Sequence, residues 1–552
     1  MARVGWLFPT IAVPILVIAL LLAEKSAKDA WILEDIAPAF IVFGILLGLG
    51  LILDRSRLAE LNAAIAVALL AIVPSVKYGF VYGEFDSIGH YSTAYEIART
   101  ASVASISMYG QGYAVTPLLH IFLAMTSLTG GIPVETAIVC TLFLVQFVIF
   151  VLIAESARRM FPQIDGRLVV FLTVMTVPVL FMITGTTFGL LAVAMLIYVF
   201  SRSRERHLKV SEISLTTILM FFLVFSHFVT ALYFLTFLTA YTISLLTMRG
   251  FGALRGRTSD PIIKVAPRFL IFFVFWLAYV GPDFIMILRD IMVTLFLGSP
   301  LPSTAGEFPL TDLIQVLLFK YGRFLFSVLV GVGASSIALL RYRKTQTFAM
   351  FWWLLAGSLF IGGVVTLGHE AIPVWRFLAY ASLVTPYFLC FLVSKGENIA
   401  WSLKTPRIRV IKATMLMTLV LSMVAAYPVT PLYPKSGGRP ILDDNSVNSI
   451  YAVSGLQYFS GVYSSGDVIT SFRIFWQLLS LHPTLVPLAW NAIFPTLEYV
   501  TSPSELKGEL VVFDAGGKSG TSTIAMRTLA GNLTDTLGII YSNGFLYIAL
   551  GT

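Results

Sequence analysis

The chain has 552 residues and a formal net charge of +8, with 57% hydrophobic and only 12% charged residues and a mean hydropathy of +0.87. A soluble protein of this size does not need so much apolar sequence, and apolar runs near the length of a membrane span recur along the chain. Lys and Arg in cytoplasmic loops account for the positive balance, so nucleic acid is not an expected partner. Cys140 and Cys390 lie within apolar segments and indicate neither a disulfide framework nor a zinc site.

About thirteen segments are apolar and long enough to be predicted as membrane spans. The first is interpreted as a retained helix, because it lacks a small-x-small cleavage site and further spans follow. Residues 213–248 could form one long helix or two helices broken near Ser226 and His227; for these two residues we favour a role in helix packing. The predicted spans are approximately 6–23, 37–53, 61–76, 134–154, 168–184, 189–200, 213–225, 229–246, 269–288, 324–340, 348–367, 377–393 and 411–427.

The distribution of Lys and Arg predicts the orientation of these spans. Basic residues concentrate in every second loop, as the positive-inside rule requires if the N-terminus is cytoplasmic. We therefore predict a mainly α, polytopic membrane helix bundle in a cell membrane, with the N-terminus inside and the C-terminus outside. Its parts are N-terminal transmembrane helices (1–76), a first large extracytoplasmic loop (77–131), a transmembrane core (132–427) and an extracytoplasmic C-terminal domain (428–552).

The tail after residue 427 differs in character from the rest of the chain. Pro, Gly, Ser, Asp and Asn become more frequent, and residues 509–514 and 539–548 have the β-prone composition of strands. Ser542, Asn543 and Gly544 are typical of a tight turn. A tail of this size can hold its own core, and we predict a small α/β domain.

The stretch from Gly83 to Tyr91 brings ionisable groups together next to apolar sequence. Glu84 and Asp86 would point the same way on an extended or turn backbone, so that both could serve one cation or one substrate. Carboxylate oxygens suit Mg²⁺ or Mn²⁺, and one carboxylate alone could act as a general base. A solvated acidic loop is the alternative. His90 could be a ligand, a proton carrier or a donor to phosphate, or it could cap the following helix.

A second polar group is predicted at the outer start of a late span. Arg376 either extends to lipid headgroups or binds an anionic ligand, and His369 and Glu370 precede it in an outer turn. Carboxylates, a histidine and an arginine at membrane level suit a lipid substrate with a phosphate head. A transporter or flippase would place charges at mid-span, where this sequence has almost none.

These motifs together resemble the GT-C superfamily of membrane glycosyltransferases, which use polyprenyl-phosphate-linked sugars. Glu84-Phe85-Asp86, followed by Tyr91, is similar to the Glu-x-Asp form of its signature in the first outer loop. Thr304-Ala305-Gly306-Glu307 is similar to the Thr/Ser-x-x-Glu motif of oligosaccharyltransferase catalytic subunits, and Arg376 resembles the arginine that contacts the donor phosphate. Residues 184–189 lack the acidic residue that usually completes such a site, and the tail has no Trp-Trp-Asp-Tyr-Gly motif.

The resemblance implies transfer of a sugar from a polyprenyl phosphate to a lipid, glycan or protein acceptor at the outer face of the bilayer. Asp86 would be the principal catalytic carboxylate, as general base or as a ligand of Mg²⁺ or Mn²⁺, and Glu84 would assist it. His90 would orient phosphate or acceptor, and Arg376 would hold the donor phosphate. Substrate-binding roles are also expected for Tyr91, Glu307, His369 and Glu370. The alternatives are an oligosaccharyltransferase-like enzyme that acts on protein asparagine and a non-catalytic membrane subunit on the GT-C scaffold.

Overall fold

A computed structural model shows how the central part of the chain folds. It describes ten helices, four strands, the residues that join some of these helices, and short helical pieces between 14 and 49 and between 329 and 336. The main helices are α1 (Arg57–Tyr78), α2 (Phe85–Thr100), α3 (Leu118–Gly130), α4 (Val134–Met160), α5 (Gly166–Thr176), α6 (Gly185–Ser203), α7 (Val210–Ser226), α8 (Phe228–Gly250), α9 (Pro261–Tyr279) and α10 (Val374–Lys395).

Helix α4 is the axis around which six of the other described helices pack. It has 27 residues, and at 1.5 Å per residue it is about 40 Å long. Glu135 in its first turn and Arg158 and Arg159 in its last turn oppose the helix dipole, which stabilises both ends. One face buries Leu, Ile, Val and Phe side chains, and α1, α2, α3, α5, α6 and α10 all contact it.

Three of the described helices are long and apolar enough to cross a membrane. They are α4, α6 over Gly185–Arg202 and α8 over Phe228–Thr247, and they contain the predicted spans 134–154, 189–200 and 229–246. The described part of the chain is mainly helical, as the sequence predicts for a membrane bundle. The total number of spans and their orientation stay predictions.

The predicted span 168–184 is wrong as one continuous helix. Helix α5 ends at Thr176 after 11 residues, because Pro178 cannot donate to the helical ladder and restricts the residue before it. The buried segment that follows is held by Gln146 from the middle of α4. Gln146 Nε2 donates to Pro178 O at 2.9 Å, and the Leu180 amide donates to Gln146 Oε1 at 3.1 Å. A backbone that leaves the helical ladder among apolar side chains needs such partners.

The segment 213–248 forms two helices. His227 separates α7 from α8 with an extended backbone (φ −166°, ψ 119°), so the predicted alternative of two helices broken near Ser226 and His227 is confirmed. The two helices pack against each other, and α7 also packs against α6 and α9.

Ion pairs gather at one end of the bundle, which we call the charged end. Arg158 at the end of α4 pairs with Glu60 in the first turn of α1 at 2.6 Å, and Arg167 at the start of α5 pairs with Asp165 at 2.6 Å. The guanidinium of Arg159 lies 5.3 Å from the ring centroid of Tyr198 near the end of α6. The first turns of α4, α6 and α10 therefore lie at the opposite end, which we call the polar end.

Four short strands form one mixed sheet near the C-terminus. They are β1 (Val468–Thr470), β2 (Leu510–Asp514), β3 (Leu537–Ser542) and β4 (Leu546–Gly551), in the order β1-β2-β4-β3. The β1–β2 pair is parallel, and β4 is antiparallel to both β2 and β3. The predicted strands overlap β2, β3 and β4. A folded α/β domain over 428–552 remains a prediction.

Candidate functional site

Two histidines from different helices meet at the polar end. His90 Nδ1 in α2 lies 2.8 Å from His120 Nε2 in α3, and the ring centroids are 5.0 Å apart. The side chains are only 6% and 1% exposed. Burial lowers the pKa of His120 well below its ordinary value, and the like charge that a protonated His90 would carry lowers it further. The neutral form of His120 is therefore favoured, and one ring N–H of the pair is donated to the other ring.

Tyr91 ties the same helix to the start of α4. Its hydroxyl donates to Glu135 Oε1 at 2.9 Å, and its side chain is buried. Burial raises the pKa of Tyr91, and the negative charge of Glu135 and this hydrogen bond raise it further. Tyr91 is thus a hydrogen-bond donor at all ordinary pH values. A direct substrate contact through this hydroxyl, as expected from the sequence, would require the bond to Glu135 to be shared or broken.

The backbone at Asp86 is helical and differs from the extended or turn backbone that the sequence suggests for Glu84 and Asp86. Helix α2 begins at Phe85, so Asp86 lies in its first turn, and the extended geometry is wrong from Phe85 onward. The interpretation of His90 as a helix cap is also wrong, because His90 lies inside α2. Residues four apart share a helix face, so positions 86 and 90 lie one above the other on α2. Asp86 is thereby associated with the histidine pair through its position.

A second set of polar groups, the threonine–histidine cluster, consists of the buried residues Thr184, Thr186, Thr187, Thr230 and Tyr380 and the partly buried His227. The Thr230 amide donates to His227 Nδ1 at 3.2 Å and caps the start of α8. That bond leaves the ring proton on Nε2, which faces Thr186 Oγ1 at 3.5 Å. Because Nδ1 is then an acceptor, the Thr230 hydroxyl at 2.8 Å donates to it.

The same cluster joins α8 to α10. The Thr230 hydroxyl lies 2.7 Å from the Tyr380 hydroxyl, which donates to it when Thr230 donates to His227. The hydroxyl of Tyr233 donates to the backbone oxygen of Tyr380 at 2.9 Å, and the two tyrosine rings stack with centroids 4.3 Å apart. Our interpretation of His227 as a packing residue agrees with these contacts.

Two glycines allow this close approach. A Cβ atom on Gly185 would lie 2.9 Å from both His227 Cδ2 and Ser226 O, and one on Gly189 would lie 2.5 Å from Thr230 Oγ1. Such distances are shorter than real Cβ contacts. The absence of a side chain at both positions is therefore what lets α6 pack directly against the α7–α8 junction.

Aromatic rings connect the histidine pair with the threonine–histidine cluster. Phe122 in α3 lies against Phe188 in α6, with centroids 5.1 Å apart, and Phe188 stacks on Phe222 in α7 at 5.5 Å. Phe122 follows His120 by two residues, and Phe188 lies between Thr187 and Gly189. The two polar groups thus belong to one packed region at the polar end.

Arg376 lies in the first turn of α10, one helical turn before Tyr380. Its backbone position is consequently at the polar end, next to the threonine–histidine cluster. The side chains of Asp86 and Arg376 are outside the described part of the structure. Four other predicted site residues lie outside it entirely: Glu84, Glu307, His369 and Glu370.

Sequence reasoning missed several residues of this region, namely His120, Glu135, Gln146, Thr230 and Tyr380. His120 had a usable signal, because it is an ionisable residue within the apolar run 113–128 of a predicted outer loop. The spacing of Gly185 and Gly189 at i and i+4 was a second signal, since both lie on one face of α6. Glu135, Thr230 and Tyr380 had no usable signal. Glu135 bonds to Tyr91 and Thr230 bonds to Tyr380, and these partners are distant in sequence.

The described side chains include no group of three or more His, Cys, Asp or Glu residues that could hold a metal ion. His90 would have to offer Nε2 to any ligand, since Nδ1 is engaged with His120. No protein-family model matches the chain, and no curated protein sequence matches it.

Proposed function

We propose that this chain is a multi-pass membrane glycosyltransferase of the GT-C type. It transfers a sugar from a polyprenyl-phosphate-linked donor to a lipid, glycan or protein acceptor at the outer face of a cell membrane. The observation that carries the proposal is the polar end of the bundle, where Asp86 lies one helical turn before the buried histidine pair. Asp86 of the Glu-x-Asp motif thus belongs to the helix that carries His90.

In this proposal, Asp86 is the group that receives the proton of the acceptor hydroxyl. The acceptor oxygen then forms a bond to the anomeric carbon of the sugar while the bond from that carbon to the phosphate oxygen breaks. The histidine pair keeps α2 against α3 and so fixes the helix that carries Asp86. His90 can donate through Nε2 to a phosphate or acceptor only if the pair places its remaining proton there.

Arg376 is proposed to hold the phosphate of the donor and of the leaving group. An arginine suits a phosphate because its donors form a planar fork that can bind two oxygens at once. The position of Arg376 in the first turn of α10 supports this role, since Tyr380 in the next turn is locked to Thr230 and Tyr233. The threonine–histidine cluster would therefore fix the helix that presents the arginine.

The carboxylates of Glu84 and Asp86 are also the oxygen donors that Mg²⁺ or Mn²⁺ prefers. A bound ion would neutralise charge on the donor phosphate. The turn that usually adds an acidic ligand is occupied here by Thr184, Thr186 and Thr187, which are buried and bonded within the threonine–histidine cluster. This observation favours the general-base role of Asp86, and it also favours the second candidate function, a non-catalytic GT-C-scaffold subunit.

The test is transfer from a radiolabelled polyprenyl-phosphate sugar by purified protein in the presence and absence of EDTA. The Asp86→Asn variant should lose transfer by at least about 100-fold, the usual contribution of a general base. Activity that survives EDTA supports the general-base role, and activity abolished by EDTA and restored by Mn²⁺ supports the metal role. No transfer by the wild-type protein, with folding intact, would favour the non-catalytic subunit.

A further inference from the structure

A groove between α7 and α9 has the properties of a lipid site. It is a cavity of about 180 Å³ whose walls are mostly apolar, and its lining includes Ile213, Met220, Val265 and Phe272. Thr217 and Arg268 also line it. Phe221 and Phe272 complete the lining, and the centroids of their rings are 4.1 Å apart.

Arg268 is the charged group of this groove. Its side chain is exposed, and it forms no ion pair with any residue in the described ranges. The hydroxyls of Thr216 and Thr217 donate to the backbone oxygens of Glu212 and Ile213 in their own helix. The guanidinium is therefore the charged group in the lining that can bind an occupant of the groove, and its planar fork suits a phosphate.

The surroundings of the groove indicate that its occupant comes from the bilayer. Ile218 on α7 and Ile271 and Phe275 on α9 are 63%, 70% and 58% exposed. Apolar side chains exposed at this density on the apolar helices of a membrane bundle face hydrocarbon and not water. A ligand that enters from the bilayer carries a hydrocarbon chain, which can pack against the apolar walls of the groove.

The charge of Arg268 and its position along α7 favour an anionic lipid headgroup. Arg268 is level with Thr216 and Thr217, about 10 Å along α7 from its first residue at a rise of 1.5 Å per residue. Helix α7 begins shortly after α6 ends at the charged end, where Lys209 adds positive potential. Such a potential attracts anionic lipid headgroups.

We propose that the groove between α7 and α9 binds an anionic phospholipid, with one hydrocarbon chain between the helices and the phosphate on Arg268. The groove runs along α7 from Ile213 to Phe221 and shares no residue with the histidine pair or the threonine–histidine cluster, so it does not depend on the proposed sugar transfer. It binds a lipid of the surrounding leaflet and not a reacting substrate.

The test uses the full-length protein in nanodiscs of phosphatidylcholine that contain a small fraction of spin-labelled phosphatidylglycerol. Arg268→Gln removes the charge, and Thr217→Phe fills the groove. Arg202→Gln is the matched control, because it removes an exposed arginine from the last turn of α6 without altering the groove. Unfolding temperatures of all variants establish that they fold.

We expect Arg268→Gln to weaken phosphatidylglycerol binding at least about tenfold, as expected for loss of a charge-assisted bond, while Arg202→Gln leaves it near the wild-type value. Thr217→Phe should weaken it as well, and excess glycerol phosphate, which has no chains, should not compete. The proposal is overturned if the two arginine variants weaken binding equally, which would indicate a diffuse surface charge. It is also overturned if Thr217→Phe has no effect or glycerol phosphate displaces the lipid.

Discussion

The two ends of the described bundle rely on different polar interactions. At the charged end, ion pairs such as Glu60–Arg158 and Glu155–Arg159 join side chains that are a quarter to two-fifths exposed. At the polar end, uncharged hydroxyls and imidazole rings form buried or partly buried hydrogen bonds, including the histidine pair and the chain from His227 through Thr230 to Tyr380. Exposed ion pairs contribute little because water screens them, whereas a buried donor without a partner is costly. The polar end should therefore be far less tolerant of substitution.

The largest effect on stability is expected from adding a methyl group at the polar end. Gly189→Ala places a Cβ 2.5 Å from Thr230 Oγ1 and 2.6 Å from Thr230 Cβ, so α6 must move away from α8. We expect a loss of about 1–3 kcal/mol, as for overpacking of a core, measured as a lower unfolding temperature in detergent.

Gly333→Ala is the matched control, because a Cβ at that helical position meets nothing within 4 Å. Ala is favoured over Gly in a helix, so this variant should unfold at or above the wild-type temperature. Equal behaviour of the two variants would show that α6 does not pack tightly against the threonine–histidine cluster.

The pH dependence of stability tests the histidine pair. Because the pKa of His120 is lowered in the folded state, the unfolded chain binds the proton more readily once the pH falls below about 6.5. The contribution of His120 to stability is therefore complete above pH 6.5 and is lost as the pH falls from there towards the lowered pKa.

His120→Gln removes the titrating group but retains an amide that can bond to His90. We expect the wild-type protein to lose more stability than this variant between about pH 7.5 and about pH 5, since only the wild type must exclude a proton from His120. Parallel pH profiles for the two proteins would contradict the assignment of a buried, neutral His120.

The smallest effect is expected at the charged end. Glu60→Gln breaks the 2.6 Å ion pair with Arg158. The side chains of Arg158 and Glu60 are 30% and 25% exposed. Arg158 keeps a longer contact with Glu155 at 3.6 Å. A loss of no more than about 1 kcal/mol is expected, smaller still at high salt, in unfolding measurements at two ionic strengths. A loss as large as that of Gly189→Ala would remove the contrast between the two ends.

The sequence predicted local features of this fold well and its long-range contacts poorly. Apolar length alone predicted α4 and α8, and the polar Ser226-His227 pair predicted the break between α7 and α8. The prediction failed at residues 168–184 because the span was drawn across Pro178, just after the helix ends. The hydrogen bonds from Gln146 that stabilise this break depend on how α4 and α5 meet, which local pattern does not encode.

The candidate site shows the same limit. His90 and Asp86 could be selected from composition, because ionisable residues beside apolar runs are uncommon. Their geometry could not be predicted in this way. The helix begins at Phe85, so Asp86 does not have the extended or turn backbone expected from the sequence. His120 is 30 residues from His90 in sequence, and Tyr380 is 150 residues from Thr230, so nothing in the local pattern pairs them.

The most direct measurement compares one carboxylate from each end in the same sugar-transfer assay. Asp165→Asn at the charged end loses the ion pair with Arg167, but asparagine still caps α5. We predict that Asp165→Asn retains wild-type kcat, whereas Asp86→Asn lowers kcat at least about 100-fold without lowering the unfolding temperature. Equal kcat values for the two variants would contradict the claim that sugar transfer takes place at the polar end.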